Sequence, residues 1–418
     1  MRTSATVELR GHLIDSGIFQ RVLETMADAD AEYTIDVFDV GRTKTDPSYA
    51  RVTVFGLDPE PFAALLDDLR ATGATVLEDA DARTEPAPAG GVLPDDFYAT
   101  TNLETEVRLR GEWVPVALPE MDCAIVVRDG RPITLAGYDV RAGEAVVVGH
   151  EGVRVKPLER PRNRAVFEFM SSAVSSEKPK ESLVVEIARE LRACLDTGKR
   201  VLVVGGPAVV HTGAARYLAA LIREGYVNAL FAGNALAVHD IESQFFGTSL
   251  GVDLDNAYPV EHGHVHHLRT VNRVRTVGGI QAAIDCGALR GGIMYEAYRA
   301  RIPVVLAGSI RDDGPLPDVI TDVVEAQKAM RAVVPEVGVA LMICTLLHSI
   351  AVGNMLPASV RVVNVDINPA SVTKLSDRGS FQTIGLVTDA AAFLRELCAA
   401  LKVGVEPPSP ASPAGRLA

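Results

Sequence analysis

The chain has 418 residues, 48% hydrophobic and 23% charged, with a formal net charge of −13 at neutral pH. That length exceeds one ordinary core and holds two or three units, and the composition excludes a fibrous or extensively disordered protein. The negative balance provides no positive field for a nucleic-acid backbone or an anionic membrane, so neither is an expected partner.

Five scattered cysteines (Cys123, Cys194, Cys286, Cys344 and Cys398), odd in number and without metal spacing, predict reduced, buried thiols. The amino terminus has no long apolar core, and no later stretch reaches the ~20 apolar residues of a membrane span. The expected location is cytoplasmic.

In chain order, residues 5 to 77 alternate strand-like and helical runs, from TVELRG through DSGIFQRVLETMADA and YARVTVFG to ATVLE, which predicts an α+β sandwich. In its first helix Ile18, Val22 and Met26 share one face, with Asp15 or Ser16 as candidate caps. The Pro, Gly, Ala and Asp-rich stretch from 79 to 96 predicts a linker, and the first unit is placed at 1–96. Short β-prone runs separated by turns predict a mostly β subdomain over 97–180.

From 181 to 403 the pattern becomes apolar strands between helical stretches: KRVLVVGG, NALFAG, IPVVLAG, GVALMIC, VRVVNVDI and TIGLVTD. This predicts a parallel sheet with crossover helices on both faces, so the chain as a whole is α/β. The proline-rich residues 404–418 are expected to form a disordered tail.

Open parallel sheets bind ligands outside their carboxyl ends, which makes the polar residues after each strand the candidates. Gly205 and Gly206 follow the first strand without the spacing of a dinucleotide fingerprint, so a tight turn and a phosphate contact both stay open. Asn234 either caps the next helix or meets a ligand, and the small Ala235 beside it permits close approach. Arg311, Asp312 and Asp313 stand in a loop stiffened by Gly314, Pro315 and Pro317, which favours function over a solvated turn.

Thr345 and His348 fall at a helix start whose free amides attract anionic oxygens, although His348 can equally be a satisfied core histidine. Asp366 and Asp389 end two later strands, where a carboxylate can accept ribose hydroxyls. Glu261, His262, His264, His266 and His267 form a His-rich loop whose alternate histidines share a face if extended. No helical His-Glu-x-x-His pattern or nearby cysteine supports zinc there, so substrate recognition, a proton carrier and a solvated loop remain the readings, and no metal is assigned.

The motifs AGSIRDDGPLPDVITD, ICTLLHSIAVGNMLP, VVNVDINPASVTKLSDRGS and FEFMSSAVSSEKP resemble the archaeal-type ornithine cyclodeaminases. That family also forms the carboxyl part of cyanobacterial arginine dihydrolase/ornithine cyclodeaminase fusions. The segments VELRGHLIDSGIFQRVLE and FDVGRTKTDPSYARVTV resemble the module shared with lysine-ketoglutarate reductase/saccharopine dehydrogenase proteins, so the likeness spans almost the whole chain.

The resemblance implies a Rossmann-like domain that uses NAD as a recycled hydride carrier, converting L-ornithine to L-proline and ammonia, with no arginine hydrolysis. It carries cofactor contacts to Asn234, Ala235, Asp313, Thr345, Leu346, Leu347, His348, Asp366 and Asp389, of which only Leu346 and Leu347 are not also marked by strand topology. By chemical type and loop position, Arg311 is the candidate for the substrate carboxylate, and Asp312 and His264 are candidate proton carriers. A homo-oligomer is expected. Three alternatives stay open: an NAD-dependent amino-acid dehydrogenase of the lysine/saccharopine type, a non-catalytic amino-acid sensor, and aminoalkyl transfer as in deoxyhypusine synthase.

Overall fold

The computed structural model describes residues 3–11, 13–14, 17–41, 46–56, 58–76, 80–156, 180–254, 258–312, 314–378 and 383–405. Asp15, Ser16, Asp313, all of FEFMSSAVSSEKP and the expected tail from 406 onward lie outside them. Two compact units are present, one of residues 1–171 with 354–359, the other of 172–353 with 360–418. Among the described residues no helix is long and apolar enough to cross a membrane.

The first unit opens with β1 (Thr3–Gly11), α1 (Ile18–Asp28), β2 (Glu32–Asp39), β3 (Ser48–Gly56), α2 (Pro59–Ala71) and β4 (Thr75–Val76). Its antiparallel sheet has the order β2-β3-β1-β4, a split βαβ arrangement with β1 and β3 central. The period-two strands bury Val7, Leu9, Val52 and Val54 against Val22, Met26, Leu65 and Leu69 of the helices. As expected, Ile18, Val22 and Met26 are the buried face of α1, and Gly17 stands at its N-cap in a left-handed conformation that glycine adopts without strain.

The same unit continues with β5 (Arg83–Pro86), β6 (Thr105–Leu109), β7 (Glu112–Pro115), β8 (Ala124–Arg128), β9 (Arg131–Leu135), β10 (Ala145–Val148) and β11 (Val153–Val155). They form two antiparallel sheets, β5-β10-β8-β9 and β11-β6-β7. The stretch 79–96, expected to be a linker, thus contains a strand: β5 pairs along β10, and Ala87 beside it is buried. Because every β5 side chain is exposed, the strand is held by backbone hydrogen bonds and leaves no apolar period in the sequence.

The second unit starts with α3 (Lys180–Asp196), β12 (Arg200–Gly205), α4 (Ala208–His211), α5 (Ala215–Arg223), β13 (Ala229–Gly233) and α6 (Asn234–Phe246). A two-stranded excursion, β14 (Thr248–Ser249) and β15 (Val252–Asp253), precedes α7 (His266–Val277), α8 (Ile280–Asp285) and α9 (Gly292–Arg299). Then follow β16 (Val304–Ala307), α10 (Val323–Val333), β17 (Val337–Ile343), α11 (Leu346–Met355), β18 (Arg361–Asp366), α12 (Pro369–Arg378), β19 (Ile384–Val387) and α13 (Ala390–Leu401).

Six of these strands form one parallel sheet in the order β16-β13-β12-β17-β18-β19. Val201 to Val204 and Ala229 to Ala232 are wholly buried, which explains why the strands read as continuous apolar runs rather than alternations. Chain order runs outward from β12 to one side and then from β17 to the other. With right-handed crossovers, this reversal places helices on opposite faces and opens a crevice at the carboxyl ends of β12 and β17.

None of the five cysteines forms a disulfide; Cys344 is only partly buried, and Cys286 is exposed where burial was expected, because it follows the last turn of the short helix α8 at the surface.

Candidate active site

Parallel register aligns the strand ends along one edge. Gly205 lies opposite Ala232 and Ile343, Gly233 opposite Ala307, Ile343 opposite Val365, and Asp366 opposite Val387. Residues 234–235, 311–312, 345–348 and 389 therefore follow strands that end at this edge, and Asp366 is the last residue of one. The edge is wide: at the usual strand spacing, β16 and β19 are roughly 24 Å apart.

Individual side chains differ in how free they are. Asn234 is buried at the start of α6, and its Oδ1 accepts a hydrogen bond from the Leu316 amide at 3.0 Å. It neither caps its own helix nor leaves its acceptor idle: it pins the polar loop that follows β16. In that loop Asp312 Oδ2 accepts from the Ser309 amide at 2.8 Å, Ser309 Oγ accepts from the Arg311 amide at 3.1 Å, and the Arg311 side chain is exposed. The loop is closed by the Gly308 and Ile320 amides, which donate to Ile320 and Leu306 carbonyls, and by Arg275, which donates to the Pro315 carbonyl at 2.8 Å.

Asp366 Oδ1 accepts from the Asn368 amide at 2.8 Å at the end of β18, and its second oxygen has no hydrogen bond among the described residues. Asp389 is the N-cap of α13, accepting from the Ala391 and Ala392 amides at 2.9 and 3.0 Å.

The junction of β17 and α11 is the most constrained part of the edge. Cys344 has φ +52°, its amide donates to the Val365 carbonyl, and the Gly206 amide donates to the Ile343 carbonyl. A Cβ on Gly206 would overlap the Cys344 carbonyl oxygen and lie 2.8 Å from its carbon, so close packing against this junction dictates the glycine. Immediately afterwards α11 begins, with Leu347 on its first turn 81% exposed and His348 Nε2 buried with no hydrogen-bond partner. A leucine left in solvent and a buried orphan nitrogen at the start of a helix form together the kind of cradle that an anionic, partly apolar ligand fills.

Burial pushes His348 down to about 4 and, with help from neighbouring His239, His211 down to about 4 as well, from an ordinary 6.5. Depressed folded-state values mean that the unfolded chain binds more protons between these limits. The stability these two groups contribute is therefore intact above pH 6.5 and falls as pH drops toward 4. Urea midpoints measured from pH 7.5 to pH 4.5 should decline, and less steeply in His348→Gln; equal slopes in the two proteins would contradict this.

The His-rich loop is not extended. Residues 263–265 form a single 3-10 turn, α7 begins at His266, and the close backbone packing of Gly263 on Gly251 forces the turn. His264 and His262 are exposed, whereas His266 is buried and stacked on Phe246 with ring centroids 4.4 Å apart. Among the described residues no group of His, Cys, Asp and Glu is arranged to hold a metal ion.

Sequence reasoning missed a buried polar network on α6. Glu242 is fully buried and accepts from His239 Nδ1 at 2.8 Å, Thr248 Oγ1 at 2.9 Å and the Gly251 amide at 3.1 Å. Burial pushes its carboxyl up, but the hydrogen bonds from His239, Gly251 and Thr248 outweigh this and hold it below the ordinary range. Thr248 Oγ1 also meets His266 Nδ1 at 2.8 Å, and His211 Nδ1 meets Ser249 Oγ at 2.7 Å.

Neighbouring Asp240, fully buried, receives the Ile293 and Met294 amides at 2.9 and 2.8 Å and so anchors the start of α9; burial pushes its carboxyl up to about 7. The available signal was in NALAVHDIESQFF, where His239, Asp240 and Glu242 interrupt a helix whose other faces are too apolar to leave them in solvent.

The doubly wound sheet, with its crevice where strand order reverses, defines the Rossmann-type class of α/β domains. The family described as Arginine dihydrolase ArgZ-like, C-terminal, Rossmann fold matches residues 185–397; its first region matches 104–184, and the LOR/SDH bifunctional enzyme conserved region matches 4–103. An ornithine cyclodeaminase of Methanopyrus kandleri is 54% identical over 399 residues, covering 95% of this chain and 97% of its own. The bifunctional arginine dihydrolase/ornithine cyclodeaminase AgrE of Nostoc sp. is 44% identical over 94% of this chain and 57% of its own.

A crystal structure of AgrE in ternary complex with ornithine and NAD+ superposes with a TM-score of 0.53 at 42% identity, over 96% of this chain and 58% of that one. A conserved LOR/SDH protein of Methanococcus maripaludis superposes with a TM-score of 0.74 at 48% identity, over 77% of this chain and 98% of that one. The chain belongs to the family of archaeal-type ornithine cyclodeaminases and the ArgZ-like carboxyl-terminal region.

Proposed function

We propose that the chain is an NAD-dependent ornithine cyclodeaminase that converts L-ornithine to L-proline and ammonia. The observation that carries this reading is the cradle at the β17–α11 junction, on the reversal point of a Rossmann-type sheet, in a chain 54% identical to an ornithine cyclodeaminase. NAD would supply a hydride acceptor for the α-carbon that returns the same hydride after cyclisation, so catalysis requires no second redox partner.

In this reading Thr345, Leu346, Leu347 and His348 hold the dinucleotide at the start of α11, where backbone amides meet the pyrophosphate. The available oxygen of Asp366 takes a ribose hydroxyl, and Asn234 with Ala235 shape the neighbouring wall. Asp389 and Asp313 complete the set the family resemblance marks; since both Asp389 hydrogen bonds cap α13, its contribution is through the backbone or through the position of that helix. Arg311, exposed on its pinned loop, is the candidate for the substrate carboxylate. Asp312 and His264 stay candidates for proton transfer, the first with one oxygen engaged by Ser309, the second on an exposed turn.

The test is incubation of the full chain with L-ornithine and NAD at far below the substrate concentration, following proline and ammonia by mass spectrometry. Many turnovers per NAD, with proline and ammonia in equal amounts, are expected. NADH accumulating in step with substrate loss would instead indicate an amino-acid dehydrogenase, and tight ornithine binding without turnover would indicate a sensor.

A further inference from the structure

We propose that His239 is the proton carrier of this reaction and that Glu242 is its positioning residue; the inference rests on the cyclodeaminase reading. The two residues stand three apart on α6, on one helix face. Glu242, with no exposure at all, accepts from His239 Nδ1 at 2.8 Å. A carboxylate that takes the Nδ1 proton fixes the tautomer in which Nε2 carries the free lone pair, the arrangement of a base held by its orienting acid.

The hydrogen-bond directions are self-consistent: His266 Nδ1 donates to Thr248 Oγ1, and Thr248 Oγ1 donates to Glu242 Oε1. With the Gly251 amide and His239, the carboxylate receives three donors and is locked in place.

Position supports function. β12 and β13 end at the carboxyl edge, and α4 and α6 leave it, carrying His211 and His239. His239 is five residues beyond Asn234, a rise of about 7.5 Å along the helix, so it stands on the second turn of a helix that starts at that edge. The His211 ring meets it edge-on with centroids 4.8 Å apart, and His267 of α7 lies 6.5 Å away. Together with His266, four of the chain's nine histidines thus converge from α4, α6 and α7. For stability alone, apolar side chains would fill this volume at lower cost than buried ionisable groups.

The proton balance calls for a base that turns over. L-Ornithine enters with two ammonium groups and one carboxylate, and zwitterionic proline with ammonium leaves with the same net charge. The α-ammonium and the δ-ammonium must each lose a proton: the first before Cα gives up its hydride and becomes an imine carbon, the second before the δ-nitrogen bonds to that carbon. The bond from Cα to the original nitrogen then breaks as ammonia leaves, the hydride returns to Cα, and both protons return to nitrogen. An imidazole whose second nitrogen is held can take the α-proton, release it to water, and then take the δ-proton and return it as the leaving nitrogen departs, water giving the first proton back to the products. Asp312, half committed to the Ser309 amide, is less suited.

The experiment compares the full-length wild type with His239→Gln, His239→Ala and Glu242→Gln, measuring kcat and KM for L-ornithine, NAD affinity by calorimetry and melting temperature. If the wild type makes no proline, the functional reading fails. If it does, His239→Gln should lose at least about 100-fold in kcat with NAD affinity unchanged, and added imidazole should restore turnover to His239→Ala. Glu242→Gln should lose kcat with KM little changed. Histidine ¹⁵N spectra of the wild type should show His239 as the Nδ1–H tautomer, and Glu242→Gln should weaken that signature. A His239→Gln enzyme at near wild-type kcat, or an Nε2–H tautomer in the wild type, would overturn the proposal; if the variants do not fold, the wild-type spectrum alone decides.

Discussion

Replacing Glu242 with alanine should destabilise the second unit by about 3–5 kcal/mol, since each buried donor left without an acceptor costs about 1–3 kcal/mol. The cost comes from what is left behind: the His239 Nδ1 donor, the Thr248 hydroxyl and the Gly251 amide would lose a common acceptor in a site without solvent access. Urea titration of both proteins at pH 7 measures it, and Glu242→Gln, which keeps one acceptor oxygen, should lose much less. A loss for Glu242→Ala within about 1 kcal/mol would show that water reaches and replaces the carboxylate.

Gly206→Ala should be nearly as damaging, and in a way that reports on the site. The added methyl overlaps the Cys344 carbonyl, which cannot swing aside as a flexible side chain would, because the Cys344 amide is bound to Val365. The junction must move, at about 1–3 kcal/mol of overpacking. Since Thr345 and the first turn of α11 follow directly, NAD affinity should fall by at least about tenfold, the result of losing ~1.4 kcal/mol of contacts. Calorimetric titration with NAD checks this. A destabilised variant with unchanged NAD affinity would place the dinucleotide elsewhere.

The parallel sheet was legible because buried strands leave unbroken apolar runs such as VLVV and ALMI, and the polar residues after them fall at the carboxyl edge by topology alone. Family likeness added Leu346 and Leu347, whose apolar side chains give no chemical hint of a ligand contact. The internal commitments of these residues were not legible. Nothing in the spacing shows that Asn234 serves Leu316, more than eighty positions away, or that Gly206 is dictated by Cys344, because both depend on long-range packing.

Alternation in the His-rich segment puts its histidines on one face only if the chain is extended there, and two glycines in backbone contact make it a 3-10 turn and a helix start instead. β5 reads as linker in the sequence because an edge strand can be held by its backbone with every side chain in solvent. The α6 network escaped because each polar residue alone looks like a solvated position, and only the burial of the whole helix makes Glu242 and His239 a pair.

The central claim is that a hydride leaves Cα of the substrate and returns to it without release, and deuterium at that carbon tests it most directly. With L-ornithine labelled at C2 and a trace of unlabelled NAD, the proline formed should keep its deuterium at Cα, with no net NADH. Proline that has exchanged the label with water, or label accumulating in reduced cofactor, would contradict the account.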